Sequence, residues 1–327
     1  MLEKKHPTIY DVAKKVGFSL ATVSRVINKN GKVKNSTREK VLKAIKKLNY
    51  HPNAMAKGLA SSKTTMIGMI VPNLTNSYYA ELAQGIDAVA KIYNYSLSLA
   101  ISGDSPETEK EAFATLSSKQ VDGIIFMGGN VSKEIFSLMT KSSIPVVFAG
   151  TIDSKNFFPS VNIDYFGAFK ELASKLKKDV SQSKTALIKN SNNLELSPVF
   201  ERDFKQVIPK GKVYEVEDNY KKSYNLAPKL IKDNIHAIIV AEDITAIGIL
   251  NYLCDHGLKI PKDFQIISVN DTELVNISRP PISSVAFPKF DIGAVSMRLL
   301  TKIMSGQKID QKEVILPHNF VSRNTTL

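Results

Sequence analysis

A guanidinium displayed on a helix can donate two hydrogen bonds to guanine O6 and N7 in the major groove, and Arg25 stands where that chemistry is available. In the stretch from Ser19 through Asn28, the spacing turns Val23, Val26 and Ile27 inward and leaves Leu20, Ala21, Thr22 and Arg25 outside. Leu20 and Ala21 are placed to touch base edges or thymine methyls, with plain helix surface as the alternative for each. Thr8, Tyr10, Ser19, Ser24, Asn28 and Asn53 are short or planar polar groups near helix ends, suited to phosphates that fix register, or simply to local capping. A second constellation lies far downstream. Asp291, Val295, Arg298 and Lys302 fall at i, i+4, i+7 and i+11 of a predicted helix over 290–305, forming one exposed stripe, while Ile292, Leu299, Leu300 and Ile303 face a core. Two cations about one turn apart suit a phosphate, although from these residues alone a solvated amphipathic face is the first reading.

Catalytic constellations are missing. Ser181-Gln182-Ser183-Lys184 matches S-x-x-K without its companion motifs, and Gly128-Gly129 lacks the spacing of a dinucleotide fingerprint. No phosphate-binding G-x-x-x-x-G-K-[ST] loop occurs. The single cysteine, Cys254, cannot form an intramolecular disulfide, and the 5 histidines show no zinc spacing, so a reducing cytoplasm, no metal and no cofactor are expected. No stretch approaches the ~18 apolar residues of a membrane span, and no apolar segment follows the N-terminal charges. The reading is therefore of a chain that is neither an enzyme nor exported nor membrane-embedded.

The elements that must hold Arg25 follow from periodicity. At 327 residues the chain has room for about two domains. Residues 1–63 carry 13 Lys and 2 Arg against Glu3, Asp11 and Glu39, which is nearly the whole net charge of +13. A basic block of this kind releases counterions from a polyphosphate, so nucleic acid is the leading partner, ahead of an acidic membrane surface. Three short amphipathic helices separated by turn residues argue for a folded reader rather than a charged tail. The first runs from about Ile9 to Val16 with Thr8 as N-cap, buries Val12, Ala13 and Val16, and ends at Gly17. The second carries Arg25, so the pair forms a helix-turn-helix. The third is expected to open on a Ser36/Glu39 capping box and to face inward through Val41, Leu42, Ile45 and Leu48. The small-residue stretch Asn53 to Ala60 is too short to be a stable helix alone. In a dimer it would pack in the minor groove and drive Leu59 between base pairs; a flexible linker is the alternative.

From Met66 onward, apolar strands alternate with helical stretches: Met66 to Val71, Leu97 to Ile101, Gly123 to Met127 and Val146 to Ala149. A second series comprises Thr185 to Ile188, Val213 to Val216, Ala237 to Val240 and Gln265 to Val269. Alternation of this kind predicts two doubly wound parallel-sheet subdomains with a ligand cleft at their switch points. The expected fold class is an all-α helix-turn-helix DNA-binding domain plus such an α/β core.

Thr8-Ile9-Tyr10-Asp11-Val12-Ala13, Ala21-Thr22-Val23-Ser24-Arg25-Val26-Ile27-Asn28, Tyr50-His51-Pro52-Asn53 and Leu59 together resemble the LacI/GalR family of bacterial transcription regulators. The resemblance spans the chain and implies a cytoplasmic homodimer on a pseudopalindromic double-stranded operator, with a core like the type I periplasmic binding proteins. It divides the chain into a reader over 1–52, a hinge helix and linker over 53–63, and a core over 64–327. It also implies crossings between subdomains near Val161, Pro288 and Phe320, so the first subdomain takes about 64–160 with 290–318 and the second about 161–289 with 319–327. Arg25 would read bases and Leu59 would be the wedge, with Tyr50, Asn53 and Ala56 joining the DNA-facing set. The stretch from Asp291 to Lys302 is similar to that by which catabolite-control members dock the seryl-phosphorylated phosphocarrier protein HPr. Arg298 and Lys302 would take the phosphoserine, and Asp291 and Val295 the docking surface, with Phe290 in place of a Tyr. In sugar- and purine-responsive members an Arg and an Asp anchor a small effector. Here Phe200 and Asn270 stand at those positions, which weakens the case for tight sugar binding. Tyr78, Arg202, Asp243 and Asp271 are the remaining candidates for the cleft, where a sugar or sugar phosphate would sit, with helix-surface or cap roles as alternatives.

Overall fold

The computed structural model describes residues 7–28, 31, 33–50, 64–103, 105–128, 131–152, 156–176, 180–193 and 196–327. Contacts divide the chain into two units, 1–64 and 65–327. The first contains α1 (Ile9–Val16), α2 (Leu20–Ile27) and α3 (Asn35–Leu48). Thr8 and Asp11 form a reciprocal capping box, with the Thr8 amide donating to Asp11 Oδ2 at 2.7 Å, which fixes where α1 begins. Gly17, at φ +70°, ends it in the left-handed conformation that glycine adopts without a Cβ penalty. Ser19 then caps α2 by accepting from the Thr22 amide. Val12, Ala13, Val23, Val26, Val41 and Ala44 form the buried core of the unit.

The third helix departs from expectation at two places. It already begins at Asn35, capped by Lys34 without a side-chain hydrogen bond, so Ser36 falls inside the first turn and the Ser36/Glu39 box does not form. Leu42 is 50% exposed, and Ala44 takes the inner position instead. Val41, Ala44, Ile45 and Leu48 lie at i, i+3, i+4 and i+7, and Leu42 is about 100° off that stripe.

The second unit holds two six-stranded sheets. The first is built from β1 (Met66–Val71), β2 (Ser96–Ile101), β3 (Gly123–Phe126), β4 (Val146–Ala149), β5 (Ser160–Ile163) and β11 (Glu313–Leu316), in the order β11-β5-β4-β3-β1-β2. The second contains β6 (Thr185–Asn190), β7 (Lys212–Val216), β8 (Ala237–Val240), β9 (Gln265–Asn270), β10 (Ser283–Ala286) and β12 (Asn319–Val321), in the order β12-β10-β9-β8-β6-β7. Every pairing is parallel except that of β12 with β10. Between strands run α4 (Ser77–Ile92), α5 (Pro106–Ser118), α6 (Lys133–Lys141), α7 (Tyr165–Leu176), α8 (Leu196–Val207), α9 (Tyr220–Lys232), α10 (Asp243–Asp255), α11 (Glu273–Ile277) and α12 (Lys289–Met304). Helices on both faces explain why β3 and β8 are unbroken apolar runs, buried at every residue.

The chain passes between the sheets after β5, after β10 and between β11 and β12. The first passage thus falls after Ile163: Val161 to Ile163 pair with β4 or β11, and Asp164 accepts from the Gly167 amide at 2.9 Å where α7 begins. Helices α4 and α12 touch backbone to backbone. A Cβ on Gly293 would stand 2.0 Å from the Leu82 carbonyl oxygen, and one on Gly85 1.9 Å from that of Phe290, so only glycine permits this approach.

Candidate nucleic-acid interface and ligand cleft

The face of α2 opposite the small core presents Ala21 and Arg25 to solvent, with Leu20 38% exposed. Thr22 is half-buried, its hydroxyl 3.0 Å from that of Ser19, and Asn28 Nδ2 donates to Ser24 Oγ at 3.2 Å. These four side chains shape the helix ends locally while remaining at its edge. Thr8 is engaged in its capping box, Tyr10 is 67% exposed, and Tyr50 is half-buried against the core. Asn53, Ala56 and Leu59, with the rest of the expected hinge segment, lie outside the described residues.

On α12, Asp291, Arg298 and Lys302 are exposed and Val295 is half-buried between them. Ile292, Leu299 and Leu300 are buried on the other side, as the periodicity predicts. Phe290, 48% exposed, flanks the stripe.

A cavity of about 370 Å³ lies between the carboxyl ends of the strands of both sheets. Asn73 after β1, Ser102 after β2, Asn190 at the end of β6, Asp218 after β7, Glu242 after β8 and Asn270 at the end of β9 all line it. Of the expected cleft residues, Asp243 lines this cavity and Tyr78 lines a smaller adjoining pocket. Arg202 and Asp271 do not. The Arg202 guanidinium, 68% exposed, pairs with Asp203 at 2.8 Å, and Asp271 pairs with Arg323 at 2.6 Å. Phe200 packs on Tyr165 and Phe169 at ring separations of 5.1 and 5.3 Å, so it is an aromatic core contact.

Electrostatics in the cleft are lopsided. Glu242 accepts from Asn270 Nδ2 at 3.2 Å; burial, then the Asp218 and Asp243 carboxylates, push its carboxyl well above the ordinary range. Burial likewise raises Asp243, against hydrogen bonds from Ser268 and Thr272. The Tyr78 phenol is raised by burial and by Glu242. Sequence reasoning missed Glu242, Asp218, Asn190 and the buried Lys289. The first three sit at or just past strand ends, where ligand groups gather in open α/β sheets, and that position was the available signal.

Lys289, only 5% exposed, begins α12. Its ammonium donates to the carbonyls of Asn270 and Asp271, both at 2.8 Å, and lies 3.4 Å from Glu81 of α4. Asn270 and Asp271 have φ of +136° and +52°, conformations unusual for side-chain-bearing residues, so the lysine holds a strained turn at the cavity wall. Among the described residues no group of His, Cys, Asp and Glu could hold a metal ion, and no helix is long and apolar enough to cross a membrane.

A family model described as "Bacterial regulatory proteins, lacI family" matches residues 8–53, and one described as "Periplasmic binding protein-like domain" matches residues 183–326. The chain is 42% identical over 325 residues to catabolite control protein A of Streptococcus mutans, an alignment covering 98% of each. The crystal structure of transcription regulator CcpA of Lactococcus lactis superposes with a TM-score of 0.74 at 33% identity, over 80% of this chain and 99% of that one. The lac repressor dimer bound to operator and an anti-inducer shares the fold at a TM-score of 0.90 and 24% identity, over 99% of this chain and 100% of that one.

Proposed function

The chain belongs to the lacI family of bacterial regulatory proteins, closely related to catabolite control protein A, and from that premise we propose how this sequence-specific DNA-binding regulator is controlled. It acts as a homodimer on a pseudopalindromic operator, α2 entering the major groove of each half-site with Arg25 reading guanine. Its corepressor is seryl-phosphorylated HPr, taken by the stripe on α12. Arg298 and Lys302 receive the phosphoserine, and Asp291 and Val295 form the surrounding surface. The protein thereby serves carbon catabolite control. The observation that carries this reading is that stripe: two exposed cations one turn apart on a helix whose opposite face is buried. Corepressor binding raises operator affinity by whatever it gains in preferring the DNA-competent arrangement of the core.

The test is an operator-binding titration with phosphorylated HPr, unphosphorylated HPr and sugars. Phosphorylated HPr tightens binding, and Arg298→Ala with Lys302→Ala abolishes that gain while leaving basal operator affinity intact. A sugar that releases the operator while phosphorylated HPr changes nothing would instead make the chain a repressor of one sugar operon.

A further inference from the structure

We propose that the outer face of α3 holds the phosphate backbone of a second DNA duplex while α2 occupies the operator. This goes beyond operator reading and HPr docking and does not depend on the latter. Helix α3 carries Arg38, Lys40, Lys43, Lys46 and Lys47 against a single acid, Glu39. At about 100° per residue, with Val41 pointing into the core, Lys40, Lys43, Lys46 and Lys47 share an arc of about 120° on the far side of the helix. All four are exposed, and none enters an ion pair among the described residues. Lys46 and Lys47 lie in the last turn, where cations offset the helix dipole. Lys40 and Lys43 lie in the middle of the helix, so the dipole does not account for them.

The direction of this face separates it from the operator. On α2, Ala21 and Arg25 stand opposite Val23 by the same helical geometry. Val23 and Val41 share one core, so the two outer faces diverge from it, and a duplex seated against Arg25 leaves the lysines pointing elsewhere. Charge density then selects the occupant. Lys40 to Lys47 span about 10 Å of helix axis, a length over which a duplex presents about six phosphate charges. A protein partner fits less well. Protein interfaces are depleted in Lys and anchored by aromatic side chains or Arg, whereas the arc holds neither, and the half-exposed Leu42 lies only at its border. An operator-bound dimer therefore gathers a second stretch of DNA without needing a second operator.

Two-colour sedimentation of the full-length protein makes the test. The dimer is saturated with a selected operator carrying one dye, and a scrambled duplex carrying another is added at about 50 mM salt. Both dyes should travel in one boundary, faster than the operator complex alone, and the scrambled duplex should be released towards about 200 mM salt. Lys43→Gln, Lys46→Gln and Lys47→Gln together should weaken the second binding at least about tenfold. They should also lower its log–log salt slope by about 2.7, at about 0.9 for each lost phosphate contact, with operator affinity and melting temperature unchanged. Arg at the same three positions keeps the charge and should retain the second duplex. Absence of the joint boundary, or its persistence in the Gln variant, would overturn the proposal. So would an equal loss of operator affinity in that variant, which would make the lysines part of the operator contact. Release of the scrambled duplex by poly-glutamate as readily as by unlabelled duplex would overturn it in favour of an acidic protein.

Discussion

Replacing Lys289 by methionine removes one buried ammonium and leaves most of its aliphatic volume in place. Two carbonyls, those of Asn270 and Asp271, then lose their donor inside the protein. Each orphaned group costs about 1–3 kcal/mol. Part of that is regained because a buried charge no longer has to be desolvated, leaving a net loss of about 2–4 kcal/mol. In a unit this large 1 kcal/mol moves the melting temperature by about 2–4 °C, so the transition of the 65–327 unit should fall by about 4–16 °C. Differential scanning calorimetry of Lys289→Met beside Lys302→Met makes the measurement, because Lys302 is exposed and its loss should cost less than about 0.5 kcal/mol. If both variants melt together with the parent chain, the lysine does not hold the 270–271 turn and the account of the cleft wall is wrong.

Arg25→Ala should weaken binding to a selected operator by about 1–3 kcal/mol while leaving the melting temperature unchanged, because the side chain is exposed; anisotropy titrations on operator and scrambled duplexes separate base reading from a uniform loss. Gly293→Ala forces a methyl to within 2.0 Å of the Leu82 oxygen, so α12 and α4 must part and stability should drop by about 1–3 kcal/mol in urea unfolding. For Glu242 the folded-state value is raised, so the native protein binds more protons than the unfolded chain. Stability should therefore decline as pH climbs from the ordinary carboxyl range through the elevated value, and Glu242→Gln should flatten that decline in melts followed across pH.

Elements whose signal is local were readable from the chain. Thr8, Gly17 and Ser19 fix helix ends through groups a few residues apart, and the apolar runs of β1, β4 and β8 declare buried strands by composition. Leu42 misled because hydrophobicity alone does not show which of two adjacent angular positions faces a core of six buried side chains. Arg202 and Asp271 misled for another reason. Each is charged and lies close in sequence to cleft residues, but its charge is neutralised by Asp203 or Arg323, and the Arg323 partner is 52 residues away. Lys289 was silent for the same cause: nothing near it in sequence reveals that residues 270 and 271 will present their carbonyls to it.

The placement of β11 and β12 bears on the order in which the molecule comes into being. Each of the two sheets is completed at an edge by a strand from beyond residue 312, and Thr325, fully buried, accepts from the Ser283 amide and donates to the Ile266 carbonyl. A ribosome must therefore deliver almost the entire polypeptide before either sheet can close, whereas the three-helix reader needs only contacts among its first fifty residues and can assemble early. The nascent chain thus completes its helix-turn-helix well ahead of the apparatus that governs it.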